Sequence, residues 1–261
     1  MNKTAVIYAY YEKNNTYIQN LRYFLEHAII SSYDIHYYII VNGICSIMHI
    51  SQPNVTFLTR PNEGFDFGAF GFALDHMKNM SLTYNNYIFI NSSCRGPFTP
   101  AYMTTNWVDA FTSLLKGNVK LVGPTINLLP KNDQVQPHVQ SYCFAIDNEC
   151  MLFLTKEGLF SPSYTSIYDV IDHQELGLSA LVLKNGWNID CFVAEYRNRD
   201  YHNVTNFNPK ANSQFGDILF PGKLCFGRDI HPYEVMFIKT ERGLSLETWK
   251  SLSESANVKR A

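Results

Sequence analysis

The sequence predicts an α/β protein with a mainly parallel central sheet and helices on both faces. Three observations carry this. Short apolar runs rich in Val, Ile, Tyr and Phe recur along the chain, stretches of helical spacing separate them, and most runs are continuous instead of alternating. A continuous run suits a strand covered on both sides.

The first run, TAVIYAYY (4–11), reads as a buried strand. The stretch after it sets Tyr17, Leu21, Phe24, Leu25 and Ala28 on one helical stripe. IHYYIIVNG (35–43) is the second strand, closed by Asn-Gly, and NVTFLTRPN (54–62) the third, stopped by Pro61. GAFGFALDHMKNM reads as a helix and NNYIFINSS as the fourth strand. NWVDAFTSLLKG is a helix, NVKLVGPTIN a strand, and HVQSYCFAID alternates like a strand. NECMLFLTKEG is a helix closing on Gly158, HQELGLSALVLKNG a second one ending in Asn-Gly, and WNIDCFVAEY a returning strand. Residues 200–230 are loop-rich before HPYEVMFIKT re-enters the fold. This rhythm places one domain over 1–240 and a polar helix or tail over 241–261.

With 261 residues, 46% hydrophobic and 15% aromatic, the chain has material for a sizeable core. A net charge of -2 gives no global basic field, which excludes a general nucleic-acid binder. No run approaches the roughly 18 apolar residues of a membrane span. The N-terminal stretch lacks a signal-peptide pattern. The six cysteines are scattered, with neither CxxC nor Cys/His ligand spacing, and read as reduced thiols of a cytoplasmic protein.

In an open parallel sheet the carboxyl ends of the strands share one edge, and ligands bind there. Ala9, Tyr10 and Tyr11 end the first strand, Asn42 the second, and Arg60, Asn62, Gly64 and Asp66 follow the third. Asn91, Ser92, Ser93 and Arg95 follow the fourth. In RPNEGFDFGAFG the glycines at 64, 68 and 71 suit either close ligand approach or a tight turn with close helix–sheet packing, and Asp66 suits either a helix N-cap or a ligand to sugar or base hydroxyls. The segment matches neither GxGxxG nor GxxxxGK[ST].

These elements resemble, in order and wording, the GT-A fold of nucleotide-sugar glycosyltransferases, above all the inverting family-two enzymes. Those carry an Asp where Asn42 stands, a small-residue N-x-G segment like NEGFDFGAFGFAL, and a D-x-D in the place of INSSC. Their E-D-x-x-L-S helix aligns without a gap on QELGLSALVLKNG, which puts Gln174 and Glu175 in the E-D position. Stretches such as YAYYEKN, NSSCRGPF and GRDIHPYEV also resemble glycosyltransferases of large DNA viruses and algae. Rhamnan-synthesis proteins are similar at a greater distance. The resemblance spans about residues 4 to 240.

It implies an enzyme that moves a sugar from a UDP-, GDP- or dTDP-linked donor to a glycan or glycoprotein hydroxyl, in the cytoplasm (the host's, if viral). The alternative is an inactive GT-A shell that binds glycan or protein. Glu175 would be the catalytic base, or else a carboxylate in a helix's first turn favoured by the macrodipole, with Asp169 and Asp172 as nearby competitors. His138 and Gln140 would face the acceptor, or His138 is a hydrogen-bonded core residue of its strand; Trp187, Tyr102 and Trp107 are aromatics able to stack on sugar, though helical and strand patterns make most such residues core. Asn91 and Ser93 in the D-x-D place bring no charge, so a Mn²⁺ or Mg²⁺ ion is held weakly or not at all. Arg95, Arg60 and Arg228 are then candidates to meet the phosphates. His231 either completes a metal site or caps the turn before Pro232.

Overall fold

A computed structural model describes residues 2–47, 50–131, 134–164, 166–204, 217–224 and 227–242, and a few positions beyond 247. Cys225, much of the loop between 200 and 230, and most of the tail over 241–261 lie outside the described residues.

The first half builds the frame. Strand β1 (Thr4–Tyr10) is buried along its whole length. It leads to α1 (Asn15–His27), which Asn14 caps by accepting from the Tyr17 amide at 3.1 Å. Next come β2 (Ile35–Asn42), β3 (Val55–Arg60), α2 (Phe65–Asn79) and β4 (Asn86–Asn91). A two-residue strand β5 (Cys94–Arg95) and α3 (Trp107–Thr112) follow.

The second half adds β6 (Val119–Gly123), a hairpin of β7 (Ile126–Lys131) and β8 (Gln134–Val139), β9 (Cys143–Asp147) and α4 (Asn148–Lys156). A continuous helical segment runs from α5 (Ile167–Asp169) through a π-helical stretch, Val170–Glu175, into α6 (Leu176–Lys184). Strand β10 (Asn188–Cys191), the short α7 (Pro232–Val235) and β11 (Ile238–Lys239) complete the described elements.

Seven strands form the main sheet in the order β10-β6-β9-β4-β1-β2-β3. All neighbours run parallel except β9, which is antiparallel to both β4 and β6. The mainly parallel α/β architecture is therefore observed. The readings of HVQSYCFAID and NVKLVGPTIN as single strands are corrected. The first is split at Gln140–Tyr142 between the β7–β8 hairpin and β9, and the second is split at Pro124–Thr125 between β6 and β7.

Helices cover both faces. Tyr8 packs on Phe24 of α1 with ring centroids 4.7 Å apart. Phe89, paired with Ile7 and so directed to the other face, packs on Phe70 of α2 at 5.0 Å. Phe144 and Phe160 stack on that same Phe89 ring.

The glycines of the third loop answer to this packing. A Cβ on Gly64 would lie 2.5 Å from Pro162 Cα, and one on Gly71 would lie 2.2 Å from the Phe160 carbonyl oxygen. The loop 158–162 presses on α2 through these gaps. Close packing is observed at Gly64 and Gly71, against this loop and not against the sheet.

Candidate functional site

Chain direction defines the site. From β1 the chain moves through α1 to β2 and β3, then returns through α2 to place β4 on the opposite side of β1. The β1/β4 boundary is the switch point, where crossovers diverge and leave a crevice at the strand ends.

Asn91, the last residue of β4, is the hub. Its Nδ2 donates to Asp66 Oδ2 at 2.7 Å, and its Oδ1 accepts from the amide and hydroxyl of Ser93 at 3.0 and 2.6 Å. Ser92 stitches the two strands. Its amide donates to the Ala9 carbonyl at 3.1 Å, and its hydroxyl accepts from the Tyr11 amide at 3.3 Å.

Asp66 is not the N-cap of α2. Gly64 takes that position at φ +66, with no side-chain cap, and Phe65 also has a positive φ of 52. Asp66 thus falls in the first turn, turned toward β4. Burial pushes its carboxyl up to about 6; Asn91 and the positive charge of Lys239 oppose the shift, while the negative charge of Glu175 adds to it.

Glu175 closes the π-helical stretch, where the Leu176 amide reaches back to the Ile171 carbonyl. It therefore lies inside a continuous helical segment, not at a free helix start, and a macrodipole origin for it is corrected. Gln174 beside it is fully buried and donates to the carbonyls of Leu159 and Ser161 at 2.8 and 3.0 Å. That anchor ties the helix to the loop packed on α2 and fixes where the half-exposed Glu175 stands. Asp169 and Asp172 are exposed.

A segment that carries no motif crosses the same edge. β11 pairs antiparallel with β5, setting Lys239 opposite Cys94 and Ile238 opposite Arg95. The amide and hydroxyl of Thr240 both donate to the Ser93 carbonyl at 3.0 Å. Asn20 of α1, fully buried, donates to Ser92 O at 3.0 Å and Thr240 Oγ1 at 2.9 Å. Gly96 leaves room for this strap: a Cβ there would meet the Met236 carbonyl at 2.4 Å. Sequence reasoning assigned no role to Asn20 or Lys239. A polar residue on an otherwise apolar stripe was the available signal for the first.

Arg95 lies against α1, its Nε donating to Asn20 Oδ1 at 2.9 Å and its Nη2 to Gln19 at 3.4 Å, and is buried there. Arg60 is buried too, donating to Asn42 Oδ1 at 2.9 Å and to the Glu63 carbonyl at 2.7 Å. Arg228 bridges Glu195 and Glu234 at 2.8 and 2.7 Å. His231 caps α7, its Nδ1 accepting from the Tyr233 amide at 3.3 Å, so the turn-capping reading holds.

His138 and Gln140 are buried and bonded within the hairpin region: His138 Nδ1 lies 3.3 Å from the Gln136 carbonyl, and Gln140 Oε1 accepts from Thr125 Oγ1 at 2.6 Å. Tyr10 is core, with its hydroxyl on Glu12 at 3.0 Å, while Tyr11 and Asn62 are exposed at the rim. Trp107 is also core, donating to the Ala28 carbonyl at 2.9 Å; Trp187 packs on Phe153, and Tyr102 is exposed.

At the D-x-D positions the donor set brings no negative charge, and Asp66 is the carboxylate bonded there. Asn91 and Ser93 are neutral and bonded to each other, and His231 is engaged on a helix end. No group of three His, Cys, Asp or Glu side chains gathers among the described residues. Two surface cavities lie elsewhere, at the opposite end of the sheet. One is an apolar groove of about 530 Å³ beside Leu74, Met77, Tyr87 and Met151, and the other lies by Asn118 and Asn188.

Fold and site together define an α/β protein with a polar crevice at its strand-order switch. The chain belongs to the rhamnan synthesis protein F family, whose model matches residues 42–215. The rhamnan-synthesis likeness, read from the sequence as the more distant one, is thus the one this match carries. Among solved structures the chain is similar to the mannosyltransferase PcManGT of Pyrobaculum calidifontis in complex with GDP-Man and Mn2+, at 11% identity and TM-score 0.47, covering 72% of this chain and 54% of that one. It is also similar to the catalytic domain of Drosophila beta1,4galactosyltransferase 7 in complex with xylobiose, at 9% identity and TM-score 0.40, covering 72% and 64%. The chain thus spans between half and two thirds of these proteins. No curated protein matches the chain. No helix among the described residues is long and apolar enough to cross a membrane.

Proposed function

We propose that the protein is a GT-A-type glycosyltransferase that moves a sugar from a nucleotide-linked donor to a glycan hydroxyl at the β1/β4 crevice. The observation that supports it is the bonding of Asp66, Asn91 and Ser93, from two separate segments, at the switch point of a chain in a rhamnan-synthesis family, with the charge of Glu175 acting on Asp66. The donor lies along the ends of β1, β2 and β4, over Asn42, Asp66 and Asn91–Ser93. Glu175 takes the acceptor proton as the acceptor oxygen attacks the anomeric carbon from the face opposite the leaving diphosphate, which inverts that centre. The catalytic domain spans 1–240, and the protein works in the cytoplasm.

A second reading is an inactive shell that binds glycan or protein. It is favoured by the neutral Asn91–Ser93 pair where related enzymes carry carboxylates. Titration with UDP-, GDP- and dTDP-sugars in EDTA, followed by product analysis with rhamnan-type oligosaccharide acceptors, separates the two. Donor binding with turnover, lost in Glu175→Gln while binding persists, supports the transferase. Glycan binding without any nucleotide binding supports the shell.

A further inference from the structure

We propose that Lys239 is the cation that binds the donor diphosphate, in the role a metal ion fills at a D-x-D site. This rests on the sugar-transfer reading above. Lys239 is set by backbone pairing: β11 lies against β5, Lys239 faces Cys94, and Thr240 bonds twice to the Ser93 carbonyl. It therefore stands beside the Asn91–Ser93 pair, at the position where negative charge is missing from the ligand set. Its Nζ lies 5.9 Å from the centroid of the Tyr142 ring. The Tyr142 hydroxyl in turn donates to the Phe237 carbonyl at 3.1 Å, so ring and strap are fixed together.

Several other cations at this edge are already engaged, and Arg22 is exposed on α1. Arg60 holds Asn42, Arg95 holds Asn20, Arg242 pairs with Asp217, and Lys13 reaches Glu241 at 3.7 Å on the rim. Among the described residues Lys239 makes no salt bridge. Its charge reaches Asp66 and Cys94.

In the transfer step the bond from the anomeric carbon to the diphosphate oxygen breaks, and its electron pair goes to that oxygen. The acceptor oxygen forms the new bond and its proton passes to Glu175. Lys239, as a cation, offsets the charge that grows on the departing diphosphate. Residue 239 lies outside the segment 42–215 that the family model matches.

The test is calorimetric titration in EDTA of inorganic pyrophosphate, UDP, GDP and dTDP against the full chain, Lys239→Ala and Lys239→Arg, with uridine, guanosine and thymidine as uncharged controls. Tenfold or greater loss of diphosphate affinity in Lys239→Ala, recovery in Lys239→Arg, and unchanged nucleoside binding are expected. If Lys239→Ala melts below the titration temperature, Lys239→Gln replaces it with the same expected loss, since it keeps a side-chain stem on Tyr142. Unchanged diphosphate affinity in these variants overturns the role of Lys239 and leaves the transferase reading standing. Absence of diphosphate binding in the unsubstituted protein overturns both.

Discussion

Asn91 donates to Asp66 at 2.7 Å while its own carbonyl oxygen accepts twice from Ser93, so a carboxylate on α2 is tied to the turn after β4 through one amide. Burial holds the Asp66 carboxyl near 6, above its ordinary 3.8. The folded state therefore keeps a proton that the unfolded chain releases at lower pH. Its contribution is fully present below pH 4 and is lost as pH rises through about 6. Urea unfolding of the wild type between pH 4 and 7 should show this decline, and Asp66→Asn should flatten it. An unchanged slope in the variant would assign the titration to another group.

Gly71→Ala places a methyl where the Phe160 carbonyl oxygen now sits, 2.2 Å from the added carbon. Backbone on both sides leaves little to relax, so a loss of about 3 kcal/mol or more is expected. Thermal melts against Gly117→Ala separate crowding from turn conformation, because Gly117 has open space but φ +59.

Gln174→Ala removes two donated bonds to Leu159 and Ser161 and leaves a void in the core. Stability should fall by about 2–4 kcal/mol. If the bonds also position Glu175, turnover should fall further than the folded fraction does. Equal falls would limit Gln174 to a structural role.

Glu175→Gln keeps the shape and removes the base. Turnover should drop roughly a hundred- to ten-thousand-fold with donor affinity within a factor of three. Retained turnover would pass the role to Asp66, whose charge and that of Glu175 influence each other.

The elements whose signal is local were legible in the sequence: β1 to β4, α1 and α2 follow from periodicity and turn residues. The antiparallel β9 was not, because a buried run of five residues looks alike in either direction, and direction is set by the partner strand. At the candidate site, strand-end logic pointed to Asn42, Asp66, Asn91 and Ser93, and the resemblance of QELGLSALVLKNG to the E-D-x-x-L-S helix pointed to Glu175. Strand-end logic also chose Arg95 and Arg60, since a cation near a strand end looks free until Asn20 or Asn42 is found on it. Lys239 stayed hidden because it meets the site through pairing that joins Ser93 to a residue 147 positions later.

That long-range pairing bears on synthesis. On the ribosome the seven strands of the sheet emerge before Ile238–Thr240 does, so a nascent chain can bury its hydrophobic core while the β4–β5 turn still lacks its cross-bracing. Ligand competence then arrives as a late, separate event, and chains stalled before that point would be folded proteins without a finished crevice.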